Sequence, residues 1–180
     1  RFISCATSYA NFGELKGTIK LSTPSILDVE WFAHTGQPNR VVQVFGCNAK
    51  DQFLGAGARV HSTNHRGEVI PNWVSEQGVG KIRRTRPDEG YPLVGALHDT
   101  YLPVPFLLST RGFGLLVQNS RRSLFHLCTK NQPDRWAVEV WHNNLRYRVI
   151  DGPKPLEVIE KLTAITGRAP QLPKWAFAPW

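Results

Sequence analysis

"WAVEVWHNNLRYRVID", Trp136 to Asp151, carries the reading of the fold. Apolar and polar residues alternate on both sides of Asn143-Asn144, the signature of half-buried strands. Asparagine tolerates left-handed backbone angles, so a two-residue turn there predicts a hairpin. In that register His142 faces Leu145, Val140 faces Tyr147 and Val138 faces Val149, which makes one apolar face. Glu139 then faces Arg148 and Trp141 faces Arg146, an ion pair and a cation–π pair. A one-residue slip would undo this agreement.

The alternation recurs outward from that stretch. "PFLLSTRGFGLLVQNS", Pro105 to Ser120, predicts a second hairpin that turns at Arg111-Gly112, where glycine supplies positive φ. "GTIKLS" from Gly17, "ILDVEWFAH" from Ile26 and "RVVQVFG" from Arg40 read as strands, with "HTGQPN" from His34 as a turn. "GAGARV", Gly55 to Val60, lacks a following helix. It reads as a close backbone approach or a bulge in a sheet rather than a dinucleotide loop. After Asp151 the period lengthens. Leu156, Ile159, Leu162 and Ile165 fall on a helical stripe, with Pro155 suited to its first turn, Gly167 to its C′ position, and Pro170 forbidding continuation. The chain is therefore expected to be mainly β, a β-sandwich of roughly a dozen strands, followed by one helix. The expected organisation is a sandwich over 1–151, a connector helix over 152–171 and an apolar tail, "LPKWAFAPW", over 172–180.

Composition narrows the partners. No apolar run approaches the roughly 18 residues that span a bilayer, so no membrane is expected. The net charge is +8, but the basic residues are dispersed except in "KIRRTR", 81–86, and no aromatics interleave them, which argues against nucleic acid. Cys5, Cys47 and Cys128 match no zinc or redox spacing and read as buried free thiols, which points to a reducing compartment and otherwise leaves localisation open. The chain contains no methionine. A start inside a longer polypeptide and a processed terminus both fit.

No catalytic residue stands out. Acid/base hydrolysis needs two carboxylates flanking the scissile bond, and no such pair can be singled out. Asp88-Glu89 reads as a solvated turn, and a substrate contact suits it better than catalysis. His61 and His65 in "HSTNH" are spaced i, i+4, but the glutamate of H-E-x-x-H is missing and the segment reads as a loop. No metal and no cofactor are expected. "VSEQGVGKIRRTRP", 74–87, has two open readings: a plain surface loop, or a loop shaping a sugar or anion site in which Gln77 or an arginine donates hydrogen bonds.

Taken in order, several segments resemble one family. "DQFLGAGARV" resembles the F-x-G-x-G-E motif of glycoside hydrolase family 31. "VPFLLSTRGFGLLVQNS" is similar to its I-P-F-x-x-S-x-x-G-Y-G-x-x-x-x-N hairpin. "YRVIDGPKPLEVIEKLTAITGRAPQLPKWAFAPW" resembles its passage out of the N-terminal domain. "NHRGEVIPNWVSEQGVGK" is similar to a segment of the family's sulfoquinovosidase-like branch. The resemblance covers roughly residues 40 to 180. It implies a galactose-mutarotase-like β-sandwich that precedes a (β/α)8 barrel, with residues 172–180 as the start of that barrel. It also implies a retaining α-glycosidase whose two catalytic aspartates lie in the barrel, so catalytic residues here are none. The sandwich would pack on the barrel and lend the loop "RPDEGYPLVGALHDTYLP" to the substrate pocket. Asp88, His98 and Asp99, with Gln77, are then the expected contacts to carbohydrate, an α-glycoside with anionic sugars among the candidates. One departure is Ala58, where the family motif has glutamate.

Two functional readings follow. The first is a non-catalytic N-terminal domain of an α-glycosidase. The second is a stand-alone β-sandwich that binds carbohydrate or protein. The tail separates them, because a stand-alone domain has no need of apolar residues beyond the helix. On the first reading Trp175, Phe177 and Trp180 are expected to be exposed in this chain.

Overall fold

The computed structural model describes residues 7–12, 15–33, 38–75 and 97–177. Eleven strands and one helix occupy them: β1 (Thr7–Phe12), β2 (Leu15–Thr23), β3 (Ile26–Ala33), β4 (Val41–Gly46), β5 (Phe53–Gly55), β6 (Val69–Asn72), β7 (Phe106–Ser109), β8 (Phe113–Val117), β9 (Ser123–Leu127), β10 (Arg135–Val140), β11 (Asn144–Asp151) and α1 (Pro155–Thr166). They form two antiparallel sheets, one of seven strands in the order β1-β2-β3-β11-β8-β7-β5 and one of four in the order β4-β10-β9-β6. The mainly β expectation holds.

The sheets pack face to face through alternate residues of each strand. Phe53, Leu115 and Leu145 from the larger sheet meet Ile70, Phe125, Val138 and Val140 from the smaller one, all essentially inaccessible to water. Each such side chain contributes roughly 1.5–3 kcal/mol on leaving water. A second, smaller apolar layer lies on the outer face of the larger sheet, where Val158 of α1 packs against Ile26, Phe106 and Ile150.

The β7–β8 hairpin forms as the sequence predicts. Ser109 pairs with Phe113, and Gly112 takes φ 85° in the three residues between the strands. A side chain there would suffer both that backbone angle and the approach of the Gly152 carbonyl.

The β10–β11 hairpin does not form. β10 pairs with β4 and β9 in the small sheet, and β11 pairs with β3 and β8 in the large one. The chain crosses between sheets at Trp141–Asn143, where the His142 N–H donates to the Val140 carbonyl at 2.9 Å in a tight turn. Val140 and Tyr147 do share an apolar interior, but across the sandwich rather than side by side. The expected polar pairs are replaced accordingly. Glu139 accepts from Arg40 at 3.2 Å, His126 at 2.9 Å and the Trp141 indole at 2.8 Å. Trp141 stacks with Arg40 and Arg122, whose guanidinium carbons lie 5.1 and 4.4 Å from the ring centroid. Arg148 pairs with Asp28 and Arg146 with Glu30.

The free-thiol expectation is also corrected for two of the three cysteines. Cys47, just after β4, and Cys128, just after β9, form a disulfide with a Cα–Cα distance of 6.3 Å. Their 81-residue separation hides the pairing in the sequence. The strand order brings them together, because β4 and β9 flank β10. The inference of a reducing compartment loses its basis. Cys5 lies outside the described residues.

α1 begins with Pro155 in its first turn and ends at Gly167, φ 101°, whose N–H caps the Thr163 carbonyl. The residue it buries is Val158, seated above Gly114 and Gly152, where any side chain would collide with it. The predicted stripe faces largely away from the sheet: Leu156 is 81% exposed, and Ile159 and Ile165 are exposed too. Beyond it, Lys174–Phe177 forms a single 3-10 turn. Trp175 and Phe177 are 70% and 76% exposed, as expected. Trp180 lies outside the described residues. Among the described residues no helix is long and apolar enough to cross a membrane.

Candidate functional site

Loops 55–68 and 97–104 meet at one corner of the sandwich, and left-handed backbone makes the meeting possible. Gly55, Ala56 and Gly57 have φ of 102°, 58° and 89°. Gly57 lies so close to Leu102 and Val104 that a Cβ would overlap their backbone. The close-approach reading of "GAGARV" is thus the observed one. Ala58 donates its N–H to the Leu102 carbonyl at 3.0 Å and accepts from the Thr100 hydroxyl at 2.6 Å.

Arg59 ties the corner together. Its guanidinium donates to the carbonyls of Ala56 and Pro71, both at 2.9 Å, and to that of His98. Burial lowers its pKa, against the opposing pull of Asp99 and Glu68. Arg66 does the same for the other side. It donates to the carbonyls of Asn48 at 2.8 Å and Asp51 at 3.1 Å, and Asn64 Oδ1 accepts the Arg66 N–H at 3.2 Å. The "NHRG" segment is therefore a structural clamp.

Between these clamps sits a cluster of imidazoles around one carboxylate. Glu68 Oε2 lies 3.1 Å from both His61 Nε2 and His65 Nδ1. His65 Nε2 lies 3.3 Å from the Gly55 carbonyl, and the residue is only 1% exposed. The His98 ring packs edge-on against His61, with centroids 4.7 Å apart. Burial lowers the His98 pKa; Glu68 opposes this, and His61, Arg59 and His65 reinforce it. The sequence spacing H-x3-H-x2-E was visible. It does not fit the helical zinc template, and a loop with its turn at Arg66-Gly67 brings these residues together.

Of the expected sugar contacts, His98 and Asp99 are at this corner. Gln77 and Asp88 lie outside the described residues, as does the "KIRRTR" run. Among the described residues, the more enclosed carboxylates are already engaged. Asp28 is held by Arg148, Asp51 by the Asn48 N–H and Arg111, Glu139 by three donors and Glu68 by two imidazoles.

No family model matches the chain. Over 147 residues it is 26% identical to alpha-xylosidase XylQ of Lactiplantibacillus pentosus, across 82% of this chain and 17% of that protein. Over 143 residues it is 29% identical to the sulfoquinovosidase of Escherichia coli, across 77% of this chain and 21% of that protein. The fold matches a GH31 family sulfoquinovosidase from E. rectale, solved with an aza-sugar inhibitor, with a TM-score of 0.84 and 23% identity. That match covers 97% of this chain and 26% of the other. The chain's homologues are glycoside hydrolase family 31 enzymes. It spans about a fifth of the length of these curated relatives, and the fold match is to the family's N-terminal region. In family 31 terms, Ala58 keeps both backbone hydrogen bonds at a position where the motif carries glutamate, and the neighbouring Arg59 fills the corner.

Proposed function

We propose that the chain is the non-catalytic N-terminal β-sandwich of a retaining α-glycosidase. Its boundaries are 1–151 for the sandwich, 152–171 for the connector and 172–180 for the entry to a (β/α)8 barrel. The observation that carries this is the uncovered apolar surface formed by Leu156, Ile159 and Ile165 on α1 with Trp175 and Phe177 beyond it. Such a surface suits burial against a further domain. The barrel supplies both catalytic carboxylates, and the sandwich lends the loop 86–103 to the substrate pocket. Gln77, Asp88, His98 and Asp99 contact the sugar, an α-glycoside. The Arg59 fork holds the returning end of that segment in place.

The test is hydrolysis of aryl α-glycosides by the purified 180-residue chain and by the polypeptide extended through the barrel. Turnover by the extended protein alone is expected. Turnover by the short chain would overturn the non-catalytic role.

A further inference from the structure

We propose that His61, His65 and Glu68 form a binding site for zinc or a similar borderline divalent metal. One ligand atom from each, His61 Nε2, His65 Nδ1 and a Glu68 carboxylate oxygen, lies within 4.8 Å of the others. Zinc bonded at 2.0–2.1 Å needs tetrahedral ligand atoms roughly 3.3 Å apart. The two imidazole–carboxylate edges already measure 3.1 Å. The third edge, His61 Nε2 to His65 Nδ1, is no longer than 4.8 Å.

Hydrogen-bond accounting favours a metal over protons alone. Both ring nitrogens of His65 face acceptors, Glu68 on one side and the Gly55 carbonyl on the other. Hydrogen bonding alone then needs a proton on each nitrogen of a ring that is 1% exposed. A metal on Nδ1 needs one proton only, on Nε2, donated to Gly55. This is the usual arrangement of a metal-bound histidine, whose second nitrogen donates to a backbone carbonyl.

The donor set selects the metal class. Two imidazoles and one carboxylate suit zinc and its neighbours, whereas calcium and magnesium take mainly oxygen. Three protein ligands leave a fourth position open. Arg59 gives its N–H groups to three carbonyls and is offset by Asp99. A metal here would fix loop 61–68 beside His98.

The test uses the full-length protein, stripped with a chelator and titrated with Co2+ followed by Zn2+. One equivalent of Co2+ should give the visible absorption of a four- or five-coordinate nitrogen/oxygen site, and one equivalent of Zn2+ should abolish it. Glu68→Gln and His61→Gln keep a hydrogen-bonding side chain at partly buried positions, 23% and 11% exposed. Each should weaken Zn2+ by more than the roughly 10–100-fold that losing an outer partner costs, and remove the zinc-dependent rise in Tm. Absence of the Co2+ band in the wild type overturns the proposal. So does an equal band and equal Zn2+ affinity in wild type and both variants, which would place the metal elsewhere.

Discussion

The two apolar layers of this molecule are built unequally. Between the sheets, Phe53, Phe125, Leu145 and their neighbours are closed off from water on every side. Under α1 the layer is thin, with Val158 as the helix's one buried residue, and most of the helix's apolar stripe looks outward. An amphipathic helix normally turns its stripe to the core. Here the helix leaves Leu156, Ile159 and Ile165 in water.

That contrast can be broken by mutation. Phe125→Ala should cost the most, about 3–5 kcal/mol in urea unfolding, because the inner layer cannot collapse around the void. Removing the Cys47–Cys128 bridge with serines should cost about 2–4 kcal/mol, since the cross-link closes a long loop in the unfolded chain. Val158→Ala should cost roughly 1.5–3 kcal/mol, the worth of the helix's one buried side chain. A loss as large as that for Phe125→Ala would mean the two layers are equal partners.

Each sheet also carries a tethered carboxylate. Burial raises the pKa of Asp28, but hydrogen bonds from Arg148 and Ser22 outweigh it and leave it lowered. Burial likewise raises that of Glu139, and bonds from His126, Trp141 and Arg40 leave it lowered. The unfolded chain therefore binds more protons at these sites than the folded one. Their stabilisation is complete above the ordinary values of 3.8 and 4.5, and is lost as pH falls through the lower folded ones. Asp28→Asn and Glu139→Gln should flatten the acid limb of the stability curve and leave its neutral limb unchanged in shape. The smallest effect belongs to Leu156→Gln, within about 0.5 kcal/mol for the chain alone, because that side chain is already in water. A larger loss would show that the stripe is not free.

Much of the fold was legible because alternation reports which residues share a face. It placed β2, β3, β4 and the β7–β8 hairpin, and the change of period placed α1. It failed at β10–β11 because facing residues can meet either along a ladder or across a sandwich, and both give the same pattern. Val140 and Tyr147 are the case in point. The disulfide was hidden because it depends on strand order, and the imidazole cluster because loop 61–68 has no regular period. Glycines 55 and 57 were readable as a close approach, but not what they approach.

The most direct test of the account is hydroxyl-radical footprinting of Leu156, Ile159, Trp175 and Phe177 in the 180-residue chain and in the full polypeptide. All four should label strongly in the short chain and be protected in the long one, while Val158 stays protected in both. Equal labelling of the four in both proteins would contradict the claim that this surface is where the sandwich meets its barrel.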